Sequence, residues 1–219
     1  MDYQPLRNRV VAGDAPGAEV ELRLLLEAGI NPNHILANGL IEAMGTVGEN
    51  FSTGEFFVPE MLTAARAMKH CMVTLEPLLV GTERLTVGTV VIGTVKGDVH
   101  DIGKNIVATM LRGVGFDVHD LGVDVSTARF VEAVQERRPD ILALSALLTT
   151  TMPAMKDVII SLEQAGLRND VKVLIGGAPV TAEYAAAIGA DRYSAHAGNA
   201  TTQAKELVAT TYSLTGDKR

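Results

Sequence analysis

The chain has 219 residues, of which 47% are hydrophobic and 21% are charged, enough for one large domain or two small ones with a core. Its net charge of −7 argues against nonspecific binding to nucleic acid, because such binding needs a basic surface. It shows no signal peptide and no apolar run approaching the roughly 18 residues of a membrane span. The single cysteine, Cys71, excludes an intrachain disulfide, so we expect a cytoplasmic protein in which this thiol is buried and unreactive.

The first part of the chain, as far as about Leu79, has apolar residues at helical spacing. Asn31 is a candidate N-cap, and Pro32 suits the first position of the helix that follows. Three clear helical patterns and a weaker one at the start are separated by short loops. They predict a four-helix antiparallel bundle over residues 1–80.

Beyond a linker predicted at residues 81–88, strand-length apolar runs alternate with helical patterns. Five such alternations predict a parallel sheet with helices on both faces, in a domain of residues 89–219. We expect a flavodoxin-like, Rossmann-like strand order of 2-1-3-4-5, so the fold class is a helical bundle followed by an α/β domain. The strands are predicted at Thr89–Thr94, Asp117–Leu121, Ile141–Ser145, Lys172–Ile175 and Asp191–Ser194.

Three strands of the predicted sheet end in unusual loops, which open at the same edge. The loop after the first strand, KGDVHDIGKN, holds His100 between Asp98 and Asp101. The loop after the fourth strand contains Gly176 and Gly177. A carboxylate bound to one imidazole nitrogen fixes the tautomer and leaves the other nitrogen free as a ligand. No second His or Cys stands nearby at metal-ligand spacing, so the pattern disfavours zinc and fits the axial position of a metal held by a macrocycle. The third loop supplies the hydroxyls of Ser145 and Thr149–Thr151.

Two nucleotide-binding motifs are excluded by spacing. Gly97 stands six residues before Gly103, one too many for a phosphate loop, and Lys104 is followed by Asn105 instead of Ser or Thr. The G-x-G-x-x-G pattern of a dinucleotide-binding loop is absent from this region.

At these positions the chain resembles the corrinoid-binding proteins of methyltransferase systems. It is similar to the cobalamin-binding module of methionine synthase, and more so to the free-standing corrinoid proteins of methanol, methylamine and methoxyarene methyltransferases. The family motif D-x-H-x-x-G, then S-x-L, then G-G stands here as DVHDIG from Asp98, SAL from Ser145 and Gly176-Gly177. The helical half is similar to the family's cap domain, so the resemblance covers nearly the whole chain.

The resemblance implies cobalamin or a related corrinoid, bound with histidine on the cobalt and the cofactor's own base displaced. His100 is then the lower axial ligand of the metal, and Asp98 hydrogen-bonds its imidazole. Thr151, which stands where methionine synthase carries Ser, completes a proton relay with them. The other motif residues implied to contact the cofactor are Val99, Asp101, Ile102, Gly103, Leu147 and Thr149.

The cofactor's displaced base and the cap bring in further residues. Ser145 is implied to bond the benzimidazole nitrogen, and Gly176-Gly177 to make room for the nucleotide tail. Phe51 and Val58 align with the apolar residues that cover the upper face of the corrin, although both also fit an ordinary core. His196 stands where related proteins commonly have Asp or Asn, which leaves its role open.

The function implied is that of a methyl carrier. The chain would accept a methyl group on Co(I) from a partner methyltransferase and deliver it as methyl-Co(III) to a second methyltransferase, with tetrahydrofolate or a thiol as acceptor. The implied partners are a barrel-fold donor methyltransferase, an acceptor methyltransferase and a reductive activator protein, with no nucleic acid and no membrane. The alternatives are a corrinoid-dependent sensor that regulates transcription and the small subunit of a B12-dependent mutase. The sequence does not identify the methyl donor.

Overall fold

The computed structural model describes residues 2–79 and 86–215, with side chains as far as residue 209. These residues form two compact units. One reaches Thr86 and includes Arg112–Gly115, and the other consists of Val87–Leu111 and the chain from Phe116 onward. The predicted linker, residues 81–88, lies mostly outside the described residues, so the domain boundaries stay a prediction.

The N-terminal unit is helical throughout residues 4–78, apart from short connections. A π-helical segment, Leu36–Ile41, joins two shorter helices into one, so the described residues form the four helical segments that the sequence predicts. The Asn31 side chain accepts the N–H of Asn33 at 2.9 Å, and Pro32 is the first residue of the helix, which confirms the predicted cap. The helices are α1 (Gln4–Val11), α2 (Ala15–Glu27), α3 (Pro32–Ile35), α4 (Glu42–Thr53) and α5 (Val58–Leu75), followed by a 3-10 turn at Glu76–Leu78.

The π-helical segment allows the helix to pack closely against α1. A Cβ at Gly39 would lie 2.8 Å from a methyl group of Leu6, so a larger residue would require the Leu6 side chain to shift. The guanidinium Nε of Arg7 donates to the carbonyl of Asn38 at 2.6 Å, within the segment. Ile35 and Leu40, five residues apart, are both fully buried.

The core of the helical unit is built from aliphatic side chains and methionines, and Cys71 is fully buried in it, as predicted. Burial, reinforced by the negative charge of Glu19, raises the pKa of the Cys71 thiol to about 12. The thiol therefore stays protonated at neutral pH.

The second unit is a five-stranded sheet in the order β2-β1-β3-β4-β5, in which every neighbouring pair is parallel, as the sequence predicts. Two strands have the predicted bounds, and the other three differ by one residue at one end. The strands are β1 (Thr89–Thr94), β2 (Asp117–Asp120), β3 (Ile141–Ser145), β4 (Lys172–Gly176) and β5 (Arg192–Ser194). The helices are α6 (Ile102–Gly113), α7 (Thr127–Arg137), α8 (Pro153–Gln164), α9 (Ala182–Ile188) and α10 (Ala197–Thr215).

The carboxyl ends of four strands lie in one row across the sheet. Thr94 pairs with Ser145, Ser145 with Gly176, and Gly176 with Ser194. The loops that the sequence singles out therefore leave the sheet side by side. Among the described residues, no helix is both long enough and apolar enough to cross a bilayer.

Candidate functional site

His100 lies in the loop between β1 and α6, and this loop is held from inside the protein. The fully buried Thr94, at the end of β1, donates its hydroxyl to the carbonyl of His100 at 2.9 Å. The N–H of Val95 donates to the carbonyl of Ser145 at 3.0 Å. Val95 also pairs with Val125 in a single parallel β-bridge. The His100 side chain is 47% exposed, so its ring leaves the sheet edge toward solvent.

Asp98 is the centre of the hydrogen bonds at this edge, and its side chain is fully buried. Its Oδ1 lies 2.7 Å from Nδ1 of His100 and also accepts the backbone N–H of His100 at 3.1 Å. Its Oδ2 accepts the N–H of Leu147 at 2.8 Å and the hydroxyl of Thr151 at 2.7 Å. Both carboxylate oxygens therefore have partners, and they link the loops after β1 and β3.

The charge state of Asp98 determines what the histidine can offer. Burial alone would raise the pKa of this carboxyl, but the donors on Leu147, Thr151 and His100 outweigh it and hold the pKa well below its usual range. An ionised carboxylate only accepts hydrogen bonds, so Nδ1 of His100 carries the proton and donates. The lone pair of Nε2 is then available to a metal.

Thr151 is 7% exposed and faces two acceptors. Its hydroxyl lies 2.7 Å from Asp98 Oδ2 and 2.9 Å from the carbonyl of Leu148, but it has one proton to donate. The ring of His100, the carboxylate of Asp98 and this hydroxyl form a continuous chain of hydrogen bonds. The structure thus brings together the three residues of the predicted relay.

Ser145 is half-buried at the end of β3, and its hydroxyl has no hydrogen-bond partner among the described residues. Thr149 is exposed in the loop that follows. Leu147 contributes its N–H to Asp98, as described above, and leaves its side chain 42% exposed. Ser145 and Thr149 therefore offer hydroxyls that no described residue binds, and Leu147 offers an exposed apolar side chain.

Large apolar side chains around His100 are exposed, although such residues are usually buried. Val99 is 69% exposed and Ile102 is 77% exposed, while Leu148 in the neighbouring loop is 42% exposed. Asp101 is also exposed, and its Oδ2 accepts the side-chain amide of Asn105 at 3.0 Å. An apolar rim around one accessible imidazole suits a flat, largely hydrophobic ligand.

The glycines of the motif differ in what surrounds them. A Cβ at Gly103 would meet no atom within 4 Å, so nothing in the protein requires glycine there. A Cβ at Gly177, whose φ is 137°, would lie 1.8 Å from the carbonyl oxygen of Ala146. A Cβ at Gly176 would lie 3.1 Å from the carbonyl oxygen of Ser194. Position 177 therefore requires glycine because a side chain would clash with the backbone of Ala146. At Gly103 no protein atom prevents a side chain, so the space there is open to a ligand.

The remaining predicted residues lie elsewhere. Phe51 and Val58 belong to the helical unit and are half-buried, at the end of α4 and the start of α5. His196 precedes α10, and its Nδ1 accepts the N–H of Asn199 at 3.2 Å. His196 therefore caps a helix, a role that its sequence position did not indicate.

The structure also adds contacts that the motif did not predict. The N–H of Asp124, in the loop after β2, donates to the carbonyl of Asp98 at 2.8 Å. Oδ1 of Asp124 accepts the N–H of Gly97 at 2.8 Å. Lys96 pairs with the same carboxylate at 2.9 Å. Asp124 has a φ of 52°, which is unusual for a residue other than glycine. The glycine in Gly122-Val123-Asp124 indicates a turn, but the sequence does not show that Asp124 has a positive φ.

The donor set fits a corrinoid better than a bare metal ion. Within the described part of the chain, no three His, Cys, Asp or Glu residues are grouped to hold a metal. His100 can provide one nitrogen ligand, and a corrin ring supplies the others itself. The open space beside Gly103 and the exposed Val99 and Ile102 agree with a ring lying against this loop.

Comparison with protein families gives the class of this protein. Two family models, each described as a B12 binding domain, match residues 3–76 and 88–207. The second match alone spans more than half of the chain, and the first covers the helical unit. The chain therefore belongs to the B12-binding family.

Individual relatives place it more narrowly within that family. It is 48% identical over 181 residues to the dimethylamine corrinoid protein 1 of Methanosarcina acetivorans, covering 82% of this chain and 85% of that protein. The methanol:cobalamin methyltransferase complex of Methanosarcina barkeri matches with a TM-score of 0.84 and 32% identity, over 94% of this chain and 79% of the matched chain. A cobalamin-binding protein of Desulfitobacterium hafniense matches with a TM-score of 0.78 and 33% identity, over 94% of this chain and 98% of that one. This is a corrinoid protein of the methyltransferase-system type, and the sensor and mutase alternatives are not favoured.

Proposed function

We propose that this chain is the methyl carrier of a methyltransferase system in which a methylamine is the methyl donor. A corrinoid, when bound, supplies a cobalt centre that can take up a methyl group and release it to an acceptor. The observation that carries the proposal is His100, whose Nδ1 is held by a buried carboxylate while its side chain is half exposed, next to the exposed apolar residues Val99 and Ile102. This arrangement suits the single axial ligand of a cobalt held by a corrin.

The three linked residues have distinct roles in this proposal. His100 would hold the cobalt of a bound corrinoid through Nε2, in place of the cofactor's own base. Asp98 fixes the tautomer and orientation of the ring through Nδ1. The Thr151 hydroxyl can direct its hydrogen bond to Asp98 Oδ2 or to the Leu148 carbonyl, so it can adjust to a change of charge on the imidazole. The direction of this hydrogen bond would therefore be linked to whether His100 holds the metal.

The displaced base needs its own place, and the loops after β3 and β4 are the proposed location. The free hydroxyl of Ser145 is the proposed partner of a benzimidazole nitrogen, with Thr149 and Leu147 beside it. Gly176 and Gly177 are proposed to leave room for the nucleotide tail. Gly177 is also needed for the fold itself, because a side chain there would clash with the carbonyl of Ala146.

The donor class and partners follow from the relatives and from the chemistry. The high identity to dimethylamine corrinoid proteins supports a methylamine donor. Transfer from an amine needs an activated leaving group, and we find no second acid-base constellation in the described residues to supply one. A barrel-fold donor methyltransferase is therefore proposed, with an acceptor methyltransferase and a reductive activator. Residues 1–80 are proposed as a cap that moves about the linker at 81–88 to admit each partner.

Labelled substrate tests the division of labour. Reduced holoprotein incubated with carbon-14 dimethylamine should retain label only when a dimethylamine-specific methyltransferase is added. Carbon-14 methyl iodide should label the reduced holoprotein without any added methyltransferase, because iodide is already a good leaving group. Rapid labelling by dimethylamine alone would show that the chain is complete as an enzyme. Labelling through a methanol-specific partner, and through none for methylamines, would overturn the donor class.

Axial ligation is tested separately by spectroscopy. The Co(II) holoprotein labelled with nitrogen-15 histidine should change its nitrogen hyperfine splitting relative to unlabelled protein. His100→Ala should lose this splitting altogether. An unchanged splitting in the labelled wild-type protein would exclude His100 as the ligand.

A further inference from the structure

A buried lysine, Lys104, lies on the helix that follows the His100 loop, and the proposed function gives it no role. Lys104, in the first turn of α6, is 3% exposed. Its Nζ lies 2.5 Å from Oδ2 of Asp120, at the end of β2, and 2.7 Å from the side-chain oxygen of Asn105. A buried ammonium is costly unless it is paired and hydrogen-bonded, so this lysine depends on both contacts.

One route of hydrogen bonds runs from Lys104 to His100 through the sheet. Asp120 Oδ1 accepts the N–H of Gly122 at 2.8 Å, and the Gly122 carbonyl accepts the N–H of Thr94 at 3.0 Å. The hydroxyl of Thr94 then donates to the carbonyl of His100 at 2.9 Å. Each residue on this route belongs to the same compact unit.

A second route runs through the helix. Asn105 accepts from Lys104 at 2.7 Å and donates its side-chain amide to Asp101 Oδ2 at 3.0 Å. Asp101 directly follows His100 in the chain. Both routes therefore start at Lys104, and they end at His100 and at its neighbour Asp101.

We infer that Lys104 and Asp120 are positioning residues that hold the His100 loop in the conformation needed to ligate cobalt. The inference rests on the proposed axial role of His100. A loop that is already ordered loses less conformational entropy when its histidine binds, so the pair favours the ligated state. Without the pair, the histidine should be bound in a smaller fraction of the Co(II) protein.

The test is the one-electron reduction of the holoprotein in Lys104→Met. Co(I) carries no axial nitrogen, so weaker histidine binding in Co(II) makes reduction easier. A tenfold fall in the bound-to-free ratio of His100 should raise the midpoint potential by about 59 mV. The fraction with histidine bound is read independently from the nitrogen splitting of the Co(II) EPR spectrum. Asp120→Asn, which keeps a side-chain oxygen but removes the charge that pairs with Lys104, should shift both quantities in the same direction, and it serves if Lys104→Met does not fold.

The matched control is Arg168→Met, which breaks another partly buried ion pair in the same unit. Arg168 lies 2.8 Å from Asp191 and also donates to the carbonyls of Gly189 and Val171. None of these residues is on either route to His100. This control should lower stability while leaving the potential and EPR spectrum at wild-type values.

The outcomes separate the inference from the proposed function. If the wild-type spectrum has no histidine splitting, the axial assignment fails, and the inference fails with it. If the wild type has the splitting but the Lys104 and Asp120 variants keep its intensity and potential, the inference alone is overturned. Equal shifts in Arg168→Met would also overturn it, because they would reflect general destabilisation.

Discussion

A Cβ at position 177 would lie 1.8 Å from the carbonyl oxygen of Ala146, so the backbone after β4 lies directly against the backbone after β3. Gly177→Ala should therefore destabilise the apoprotein by at least about 2 kcal/mol, from the clash and from the positive φ. Urea denaturation followed by circular dichroism measures this. A loss below about 0.5 kcal/mol would mean that the loops can separate at little cost.

Gly103→Ala should give the opposite pattern. The added methyl group meets open space in the first turn of α6, so apoprotein stability should stay the same or rise by about 0.5–1 kcal/mol. Corrinoid affinity should fall, because the same methyl would occupy space that the corrin ring is proposed to fill. Unchanged affinity, measured by titration of the apoprotein with cobalamin, would show that the ring does not approach this position.

Thr151→Val should remove one donor from Asp98 and cost about 1–2 kcal/mol of stability at neutral pH. Loss of that donor raises the folded-state pKa of Asp98 toward its unfolded value. A lowered carboxyl pKa stabilises the fold above the unfolded value of about 3.9, and this contribution is lost as pH falls through the folded pKa. Acid unfolding of Thr151→Val should therefore begin at higher pH than in wild type. Thr151→Ser keeps the hydroxyl and should behave like wild type, and equal losses in both variants would point to packing.

Cys71 predicts a loss of stability at alkaline pH. Its pKa rises from 9.0 to about 12 on folding, so the unfolded chain releases this proton first. The free energy of unfolding should fall as pH rises above 9, by roughly 1–2 kcal/mol at pH ~10.5 relative to Cys71→Ala, which lacks the thiol. Urea denaturation of both proteins at pH ~8 and ~10.5 isolates the difference. Parallel pH dependence in the two proteins would show that the thiol does not contribute.

The cap residues can be tested through light sensitivity. Phe51→Ala and Val58→Ala should speed photolysis of the methylated holoprotein, because a smaller side chain confines the radical pair less. Leu24→Ala is a suitable control, since Leu24 lies on α2 and is 55% exposed. Photolysis rates equal to the control in both variants would remove Phe51 and Val58 from the upper face.

The sheet was readable from sequence where a β-branched run meets turn residues. β1 and β3 have their predicted bounds: Lys96 and Gly97 closely follow the end of β1, and Ser145 is the first polar residue after the apolar run of β3. β5 begins one residue later than predicted. Asp191 instead uses its carboxylate to accept the N–H of Val173 at 2.7 Å, a long-range contact.

From the residues alone, the site was readable where its members are close in sequence, whereas Thr151, 53 residues from Asp98, was predicted from the family resemblance. Asp98 and His100 are two residues apart, and their hydrogen bond follows from that spacing. In the sequence, Lys104 drew notice only as part of an incomplete phosphate-loop motif. Its partner Asp120 could not be predicted, because it lies 16 residues away at the end of β2. Asp124 was missed for the same reason, since its contact with the carbonyl of Asp98 depends on how β1 and β2 pair.

The π-helical segment at Leu36–Ile41 has a consequence for insertions and deletions. It absorbs one residue more than an α-helix would, which is why Ile35 and Leu40 both face the core. Removing one residue within the segment would restore an unbroken α-helix without moving the two flanking helices out of phase. Removing one residue from α4 instead would turn everything before it by about 100° and expose Ile35. Relatives that differ in length along this helix should therefore differ inside residues 36–41.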